Sequence, residues 1–382
     1  MSQPNVPGGP GNTKPTNLQL SGGAAIIAPP NAFPSGVPGN ALVVVPLRKP
    51  PDELMDSLKK GPVAVDAEQM WKLLGFNGPA VQVQDAEGRP IAIGLEDLLS
   101  GLEKHWQENK QDLDRGRLYA QELMKYGRFE RAEKVLAYLV ASGGTGQDWV
   151  GLGVAQSQQK KWDEAEGTLK GAQNLLQDSP IPSLELAKVY RGKEDRESER
   201  TMVERAINVD PNSVDAWAYL FSHLKEHDGE EAALERIEEL AQAEPNKRTA
   251  APYVAVQGVY AASEETRDKA LDYAERAVRR NPNDALALVS LSALYGQKGD
   301  LAKIVELLQP HEAKMASDVR LANNYFEALF QRREIDKVTR LLNALSGSPR
   351  REVKQFAAER SRAVAQFLQQ QQQQLARAQQ RQ

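Results

Sequence analysis

The chain has 382 residues, of which 26% are charged and 41% hydrophobic, an ordinary composition for a soluble protein that is long enough for more than one domain. Residues 1–50 carry a charge of +3 and residues 350–382 carry +5, so the net charge of −4 leaves −12 for residues 51–349. This acidic central part argues against nucleic acid as the main partner, because phosphate binding needs clustered cations. The chain has no cysteine, which excludes disulfides, thiol catalysis and thiolate metal sites.

The first 50 residues differ from the rest of the chain, because they contain 10 Pro and 7 Gly. Such a segment cannot bury enough apolar surface to offset the entropy cost of ordering it. We therefore predict a disordered arm over residues 1–50, in which the apolar residues 42–45 either share the disorder or form a short docking strand. No apolar run approaches the roughly 18 residues of a membrane span, and no secretory signal pattern is present, so we expect a cytoplasmic protein.

Residues 52–110 are predicted to form a small α+β unit. Short helices are expected at residues 52–60 and 66–74, and an amphipathic helix at residues 95–111. A hairpin is indicated by alternating apolar residues on either side of a Gly-containing turn: Val81, Val83, Ile91 and Ile93. About sixty residues make a marginal domain, so we expect this unit to pack against the segment that follows it.

Self-similarity along the middle of the chain predicts a helical repeat. Equivalent positions near the start of a second helix recur at steps of 33, 34, 34, 37, 34 and 34 residues. They are Ala132, Ala165, Glu199, Ala233, Ala270, Ile304 and Val338. Prolines recur at steps of 34 and 37, at Pro211, Pro245 and Pro282. A constant period of this length indicates stacked repeats. We predict about seven helix-turn-helix units over residues 114–346, with a three-residue insertion near residues 262–267.

The residue types within each unit have physical reasons. Small residues let paired helices approach closely, and a tryptophan three residues before a leucine shares its helix face. These features resemble the tetratricopeptide repeat (TPR) family over about 60% of the chain. The segments that carry the resemblance are Trp149-x2-Leu152-Gly153…Trp162-x2-Ala165 and Trp217-x2-Leu220…Ala233…Pro245. Glu199, Phe221 and Phe326 depart from the family pattern by replacing small residues.

The resemblance implies an all-α, right-handed helical-repeat solenoid, here combined with the disordered arm and the small N-terminal α+β unit. Residues 350–382 lack a turn signal, so we predict one long helix whose first half caps the last repeat, because an uncapped solenoid exposes an apolar face. Beyond this first half, the Gln-rich residues 369–374 belong either to frayed helix or to disordered chain, and a coiled-coil contact with a partner is an alternative.

The sequence shows no constellation of catalytic residues, so we predict neither an enzyme nor a bound cofactor. His223 and His227 are four residues apart on one predicted helix, the spacing of a two-histidine metal site. The residues between them do not match a zinc-protease helix, so we interpret the pair as a solvated helix end and predict no metal site.

The resemblance places function in the groove lined by the first helices of the repeats. The groove residues predicted on that basis are Arg117, Gln121, Lys125, Val154, Lys188, Arg191, Ser222, Lys225, Asn323 and Phe330. Half of them are cations in an otherwise acidic part of the chain. Together with the apolar positions they suit an acidic or amphipathic segment of another protein, although ordinary solvated charges would give the same pattern.

Three functions are compatible with these features. The first is a protein-binding scaffold or adaptor that assembles or regulates a multiprotein complex through the groove. The second is a regulatory subunit that positions an enzyme or a secretion component through residues 52–110. The third is an enzyme with a site in residues 52–110, where the candidate residues are Asp66, Glu68, Asp85, Glu87 and His105. The sequence leaves open the partner's identity and the oligomeric state.

Overall fold

The structure, a computed structural model, describes residues 95–379 continuously and, before them, six short strands within residues 16–94. The chain divides into two compact units, Met1–Lys161 and Trp162–Gln382. This boundary falls inside residues 114–346, which the sequence predicted to be one repeat domain. That these residues form a single domain stays a prediction. No helix among the described residues has the length and apolar character needed to cross a membrane.

The strands of the first unit form two small sheets. They are β1 (Thr16–Gln19), β2 (Ala25–Ala28), β3 (Leu42–Val43), β4 (Val63–Ala64), β5 (Ala80–Gln84) and β6 (Pro90–Gly94). One sheet has the order β1-β2-β4 and the other β3-β6-β5. β5 and β6 are antiparallel, with Val83 opposite Ile91 and Val81 opposite Ile93. The other residues of the arm and the helices predicted at 52–60 and 66–74 lie outside the described residues.

Four helices complete the first unit. They are α1 (Leu95–Gln107), α2 (Leu113–Lys125), α3 (Phe129–Ala141) and α4 (Gly146–Gln158). The core that joins them includes Leu99, Leu123 and Leu139, each fully buried. Gly116 on α2 lets the helices approach, because a Cβ there would lie 2.8 Å from the Leu139 side chain and 3.0 Å from the Trp106 ring nitrogen. The helix predicted at residues 95–111 is present as α1, which ends four residues earlier than predicted, at Gln107.

The second unit consists of helices that follow the predicted repeat. They are α5 (Trp162–Leu175), α6 (Ile181–Gly192), α7 (Arg196–Val209), α8 (Val214–His227), α9 (Glu230–Gln242), α10 (Ala251–Ala261), α11 (Arg267–Arg280), α12 (Ala285–Gln297), α13 (Leu301–Leu308), α14 (Glu312–Met315), α15 (Val319–Gln331), α16 (Ile335–Ser346) and α17 (Arg351–Gln379). Helices α6 to α13, together with α15 and α16, are the first and second helices of the third to seventh repeats. The helical-repeat fold predicted from the sequence is thus confirmed for this unit.

One apolar core runs through the second unit from Ala187 on α6 to Val364 on α17. The recurring small residues Ala233 and Ala270 have no solvent exposure, which lets successive helices pack closely. Helix starts are fixed by capping side chains such as Asp284, whose carboxylate accepts a hydrogen bond of 2.8 Å from the backbone N–H of Ala287. Trp217 donates its ring N–H to the Pro211 carbonyl at 2.9 Å, so the proline-containing turn is tied to the next helix.

A left-handed backbone conformation ends the first helix in five of the seven repeats. The residues that adopt it are Gly127, Lys160, Glu194, Gly299 and Arg333, with φ between 60° and 74°. At Glu194, for example, its own N–H donates to Arg191 O at 3.1 Å, and the next N–H, of Asp195, donates to Tyr190 O at 3.0 Å. These two hydrogen bonds satisfy the last helical carbonyls in a Schellman motif. The turn is therefore repeated by backbone geometry even where glycine is absent.

The insertion predicted near residues 262–267 lies elsewhere. Both helices of the fifth repeat, α10 and α11, begin 37 residues after their counterparts in the fourth repeat. The extra residues must therefore precede α10, in the connection 243–250, which contains a 3-10 turn at Asn246–Arg248. The prediction was wrong because a step between second-helix positions does not show on which side of the first helix the residues were added.

Helix α17 closes the apolar core of the second unit. Its buried residues Val353, Ala357 and Val364 belong to that core, and all three fall in its first half. The sequence predicted one long helix from residue 350, and the structure contains a helix over Arg351–Gln379; the capping role of its first half stays a prediction. The Gln-rich residues 369–374 continue the same helix.

Candidate partner-binding face

The exposed side of the first helices in the second unit is the candidate binding surface. We use the term first-helix face for a set of residues on, or at the end of, the first helices of repeats three to six. Each lies at, or one residue from, a position that is equivalent in all four repeats. They are Lys188, Arg191, Ser222, Lys225, Gly258, Ala262, Ala293 and Gly296. All are exposed except Lys225, which is half-buried. Four of the ten predicted groove residues, Lys188, Arg191, Ser222 and Lys225, belong to this face.

The cations of the first-helix face are already paired within the chain. Lys188 lies 2.7 Å from Glu185, Lys225 lies 2.8 Å from Glu230, and Arg191 contacts Glu226. Hydrogen bonds from Lys225 and then Lys269 lower the pKa of Glu230 to about 2. These three predicted groove cations therefore already form ion pairs, so an acidic partner would have to exchange with their carboxylates.

Small residues make up the remainder of the first-helix face. Gly258 has no atom within 4 Å of the position a Cβ would take, and at Gly296 the nearest such atom is 3.7 Å away, on Ile304. Ala262 and Ala293 are exposed between them. This part of the face offers open space in which the backbone of a bound segment can come close to the helices.

At the seventh repeat the predicted groove residues are covered by α17. The Asn323 side chain accepts a hydrogen bond of 3.1 Å from Arg360, and the Phe330 ring lies 5.1 Å from the Phe367 ring. Arg360 also pairs with Glu327 at 3.2 Å. Asn323 and Phe330 therefore contact the chain's own C-terminal helix, so a partner would meet α17 at this end.

In the first unit, the Arg117 side chain on α2 forms an ion pair with Asp148 on α4. These two helices are the first helices of the first two repeats. The Nε of Arg117 lies 3.0 Å from Oδ1 of Asp148 and its Nη2 lies 2.8 Å from Oδ2, and Asp148 is 4% exposed. Burial by itself would raise the pKa of Asp148, but hydrogen bonds from Arg117 and Thr145 outweigh burial and lower it. The other predicted residues of this unit are Gln121 and Lys125, both exposed, and the half-buried Val154.

One cluster was missed by sequence reasoning. Glu199 on α7 lies with His223 and His227 on α8, and the structure buries Glu199 and His223. The sequence contained two signals, namely the four-residue spacing of the histidines and the acidic residue at a position that is alanine in four of the other six repeats. They were not connected, because the two helices meet only in the folded unit.

The candidates for an enzyme site remain untested. Asp66, Glu68, Asp85 and Glu87 lie outside the described residues, and His105 is an exposed residue of α1. Their interpretation as a catalytic site stays a prediction without a geometric test.

Solved structures similar to this chain are helical-repeat proteins. The Cut9–Hcn1 hetero-tetramer of the APC/C is 17% identical with a TM-score of 0.33, and the match covers 52% of this chain and 39% of that chain. YrrB, a TPR protein with an unusual peptide-binding site, is 21% identical with a TM-score of 0.31 over 49% of this chain and 95% of its own. TTC0263, a thermophilic TPR protein of Thermus thermophilus, is 15% identical with a TM-score of 0.31 over 48% of this chain and 98% of its own.

This chain thus spans well under half the length of the Cut9–Hcn1 chain that it matches. No protein-family model matches the sequence, and no curated protein matches it. Each of these TM-scores is below 0.5, so the matches concern a likeness of fold over part of the chain and assign it neither a family nor a function.

Proposed function

We propose that this chain is a protein-binding scaffold that holds an amphipathic segment of a partner on the first-helix face. The observation that carries the proposal is the combination, on one row of first helices, of exposed small residues and paired cations. A bound helix places its apolar side where the exposed residues are small and leave open space, at Gly258, Ala262, Ala293 and Gly296. Its polar side meets the charged end at Lys188, Arg191 and Lys225.

The existing ion pairs are compatible with binding of an acidic group. An exposed pair such as Arg191–Glu226, with each side chain 52% exposed, contributes only about 0–1 kcal/mol. Exchanging Glu226 for a carboxylate of the partner therefore costs little. This argument favours an amphipathic segment with a few acidic residues over a strongly acidic one, because most of the binding free energy would come from apolar contact.

The experiment fills the open part of the face without disturbing the core. Gly258→Trp and Ala293→Arg place bulky side chains on exposed positions, and affinity purification with mass spectrometry compares their partners with those of the wild type. We expect both variants to lose the partner that wild type captures while keeping its helical circular dichroism and thermal midpoint. Gly167→Trp on α5 is the matched control for the first change, because its Cβ position is equally open. Ala232→Arg on the exposed side of α9 is the control for the second.

Two further arms separate the competing functions. A photo-crosslinker at Ser222 should attach to the captured partner, which locates the contact on the face. Deletion of residues 52–110 should leave capture intact. Partners retained by Gly258→Trp and Ala293→Arg but lost by the deletion would contradict the proposal and favour a regulatory subunit acting through residues 52–110.

The acidic preference is tested on the charged end of the face. Arg191→Glu together with Lys225→Glu should weaken binding of the captured partner about tenfold or more, since a like charge then faces its acidic groups. Unchanged affinity would leave the scaffold proposal standing and remove the acidic preference.

A further inference from the structure

The interface between the third and fourth repeats contains a buried cluster of metal-ligand groups. One oxygen of Glu199 and one ring nitrogen each of His223 and His227 lie within 4.8 Å of one another. Glu199 is 2% exposed and His223 is 4% exposed, whereas His227 is half-buried. None of the three residues belongs to the first-helix face as defined, and the interpretation of the cluster does not rest on the proposed function.

One of these groups is buried without a hydrogen-bond partner. His223 Nδ1 has no hydrogen-bond partner, although it lies 3.2 Å from the Oε1 atom of Glu199. That oxygen accepts one hydrogen bond of 3.0 Å, from the hydroxyl of Tyr219. A buried nitrogen without a partner is costly, and such a group in a folded protein calls for an explanation such as an ion.

We propose that Glu199, His223 and His227 bind one Zn²⁺ ion. Ligand bonds of about 2.0–2.2 Å in a tetrahedron place neighbouring ligand atoms roughly 3.3 Å apart, close to the 3.2 Å between His223 Nδ1 and Glu199 Oε1. His227 comes from the next turn of the same helix, and its ring centroid lies 4.7 Å from that of His223. His227 is only half-buried, which leaves its side chain room to change rotamer when an ion binds.

The donor set selects the class of metal. Two imidazoles and one carboxylate suit zinc and its neighbours in the first transition row, whereas calcium and magnesium prefer oxygen ligands alone. Three protein ligands leave a fourth position for water. Since Glu199 lies on α7 and the histidines lie on α8, the ion would link the third repeat to the fourth and stabilise the folded unit.

The competing explanation is a proton in place of the metal. A protonated His223 would form an ion pair with Glu199 across the same 3.2 Å and would need no other ligand. The two explanations differ in the role of His227, which contributes a ligand to the ion and has no part in the ion pair.

The test measures Zn²⁺ binding to the full chain purified without a polyhistidine tag. Competition against a chromophoric chelator should show one equivalent of Zn²⁺ per chain, and Zn²⁺ should raise the midpoint of thermal unfolding. His227→Ala should weaken binding about 100-fold or more, because even outer-shell partners of metal ligands contribute 10–100-fold. Glu199→Gln should weaken it comparably while keeping an acceptor for Tyr219. Co²⁺ should give the visible absorption of a four-coordinate site in wild type and not in His227→Ala.

His311→Ala is the matched control, because His311 is another histidine of the second unit and lies outside the cluster. It should bind Zn²⁺ as wild type does. Equal affinity in wild type and His227→Ala, absence of stoichiometric binding, or loss of binding in His311→Ala would each overturn the proposal. Circular dichroism of every variant distinguishes lost ligation from lost folding.

Discussion

At the residue scale, the left-handed turn at Glu194 gives a test of backbone strain. A non-glycine residue in this conformation costs about 1–2 kcal/mol, while glycine loses about 0.5–1 kcal/mol through its greater freedom in the unfolded chain. Glu194 is exposed, so little packing is lost. We expect Glu194→Gly to increase the free energy of unfolding by about 0.5–1 kcal/mol, measured by urea denaturation.

The control for Glu194→Gly uses an exposed helical position in the same repeat. Arg205 lies within α7 and is exposed, so Arg205→Gly should lower the free energy of unfolding by about 1 kcal/mol. Effects of the same sign in both variants would show that glycine acts through something other than the turn conformation.

These residues also show what sequence alone could and could not reveal. Gly127 and Gly299 are glycines and mark their turns directly, but Lys160, Glu194 and Arg333 adopt the same conformation without any compositional signal. They do so because the packing of the two flanking helices determines the turn. Glu199 is similar, since an acidic residue is ordinarily solvated and its 2% exposure results from the α7–α8 contact.

At the element scale, α17 determines how far the first-helix face extends. Val353 is fully buried in the core, so Val353→Asp places an unpaired charge there at a cost of about 3 kcal/mol or more. We expect α17 to detach, which would expose Phe326 and Phe330, increase binding of an apolar dye and promote self-association in sedimentation velocity. Lys354→Asp is the control, because it introduces the same residue at the adjacent exposed position. Its sedimentation profile should match that of the wild type.

The period of the repeat was readable from the sequence, but two consequences of folding were not. The position of the insertion required both helix starts of the fifth repeat, because second-helix positions alone allow residues to be added before or after α10. Pro245 keeps the 34-residue spacing from Pro211, which places the insertion after residue 245 but leaves both sides of α10 open. The covering of Asn323 and Phe330 was likewise hidden, because the sequence predicted a capping helix without specifying which face it would occupy.

At the scale of the whole molecule, charge was the least predictable property. The sequence places cations at predicted groove positions within an acidic segment, which by itself suggests a surface for acidic groups. In the folded chain Arg117, Lys188, Arg191 and Lys225 each have a carboxylate partner. Three of these partners come from another helix or turn, so pairing depends on tertiary geometry that the repeat pattern does not encode.

The second unit should behave as a chain of coupled neighbours, because stacked repeats contact mainly the adjacent ones. Leu291 on α12 is 3% exposed within the main core, and Leu291→Ala should lower stability by about 2–5 kcal/mol. In native-state hydrogen exchange, we expect protection to fall most in α10–α13 and α15 and least in α5 and α6. Leu186→Ala, at a fully buried position near the other end of the unit, should reverse this gradient. A uniform loss of protection in both variants would instead mean that all helices from α5 to α17 unfold as one cooperative block, since only then would the location of the cavity not matter.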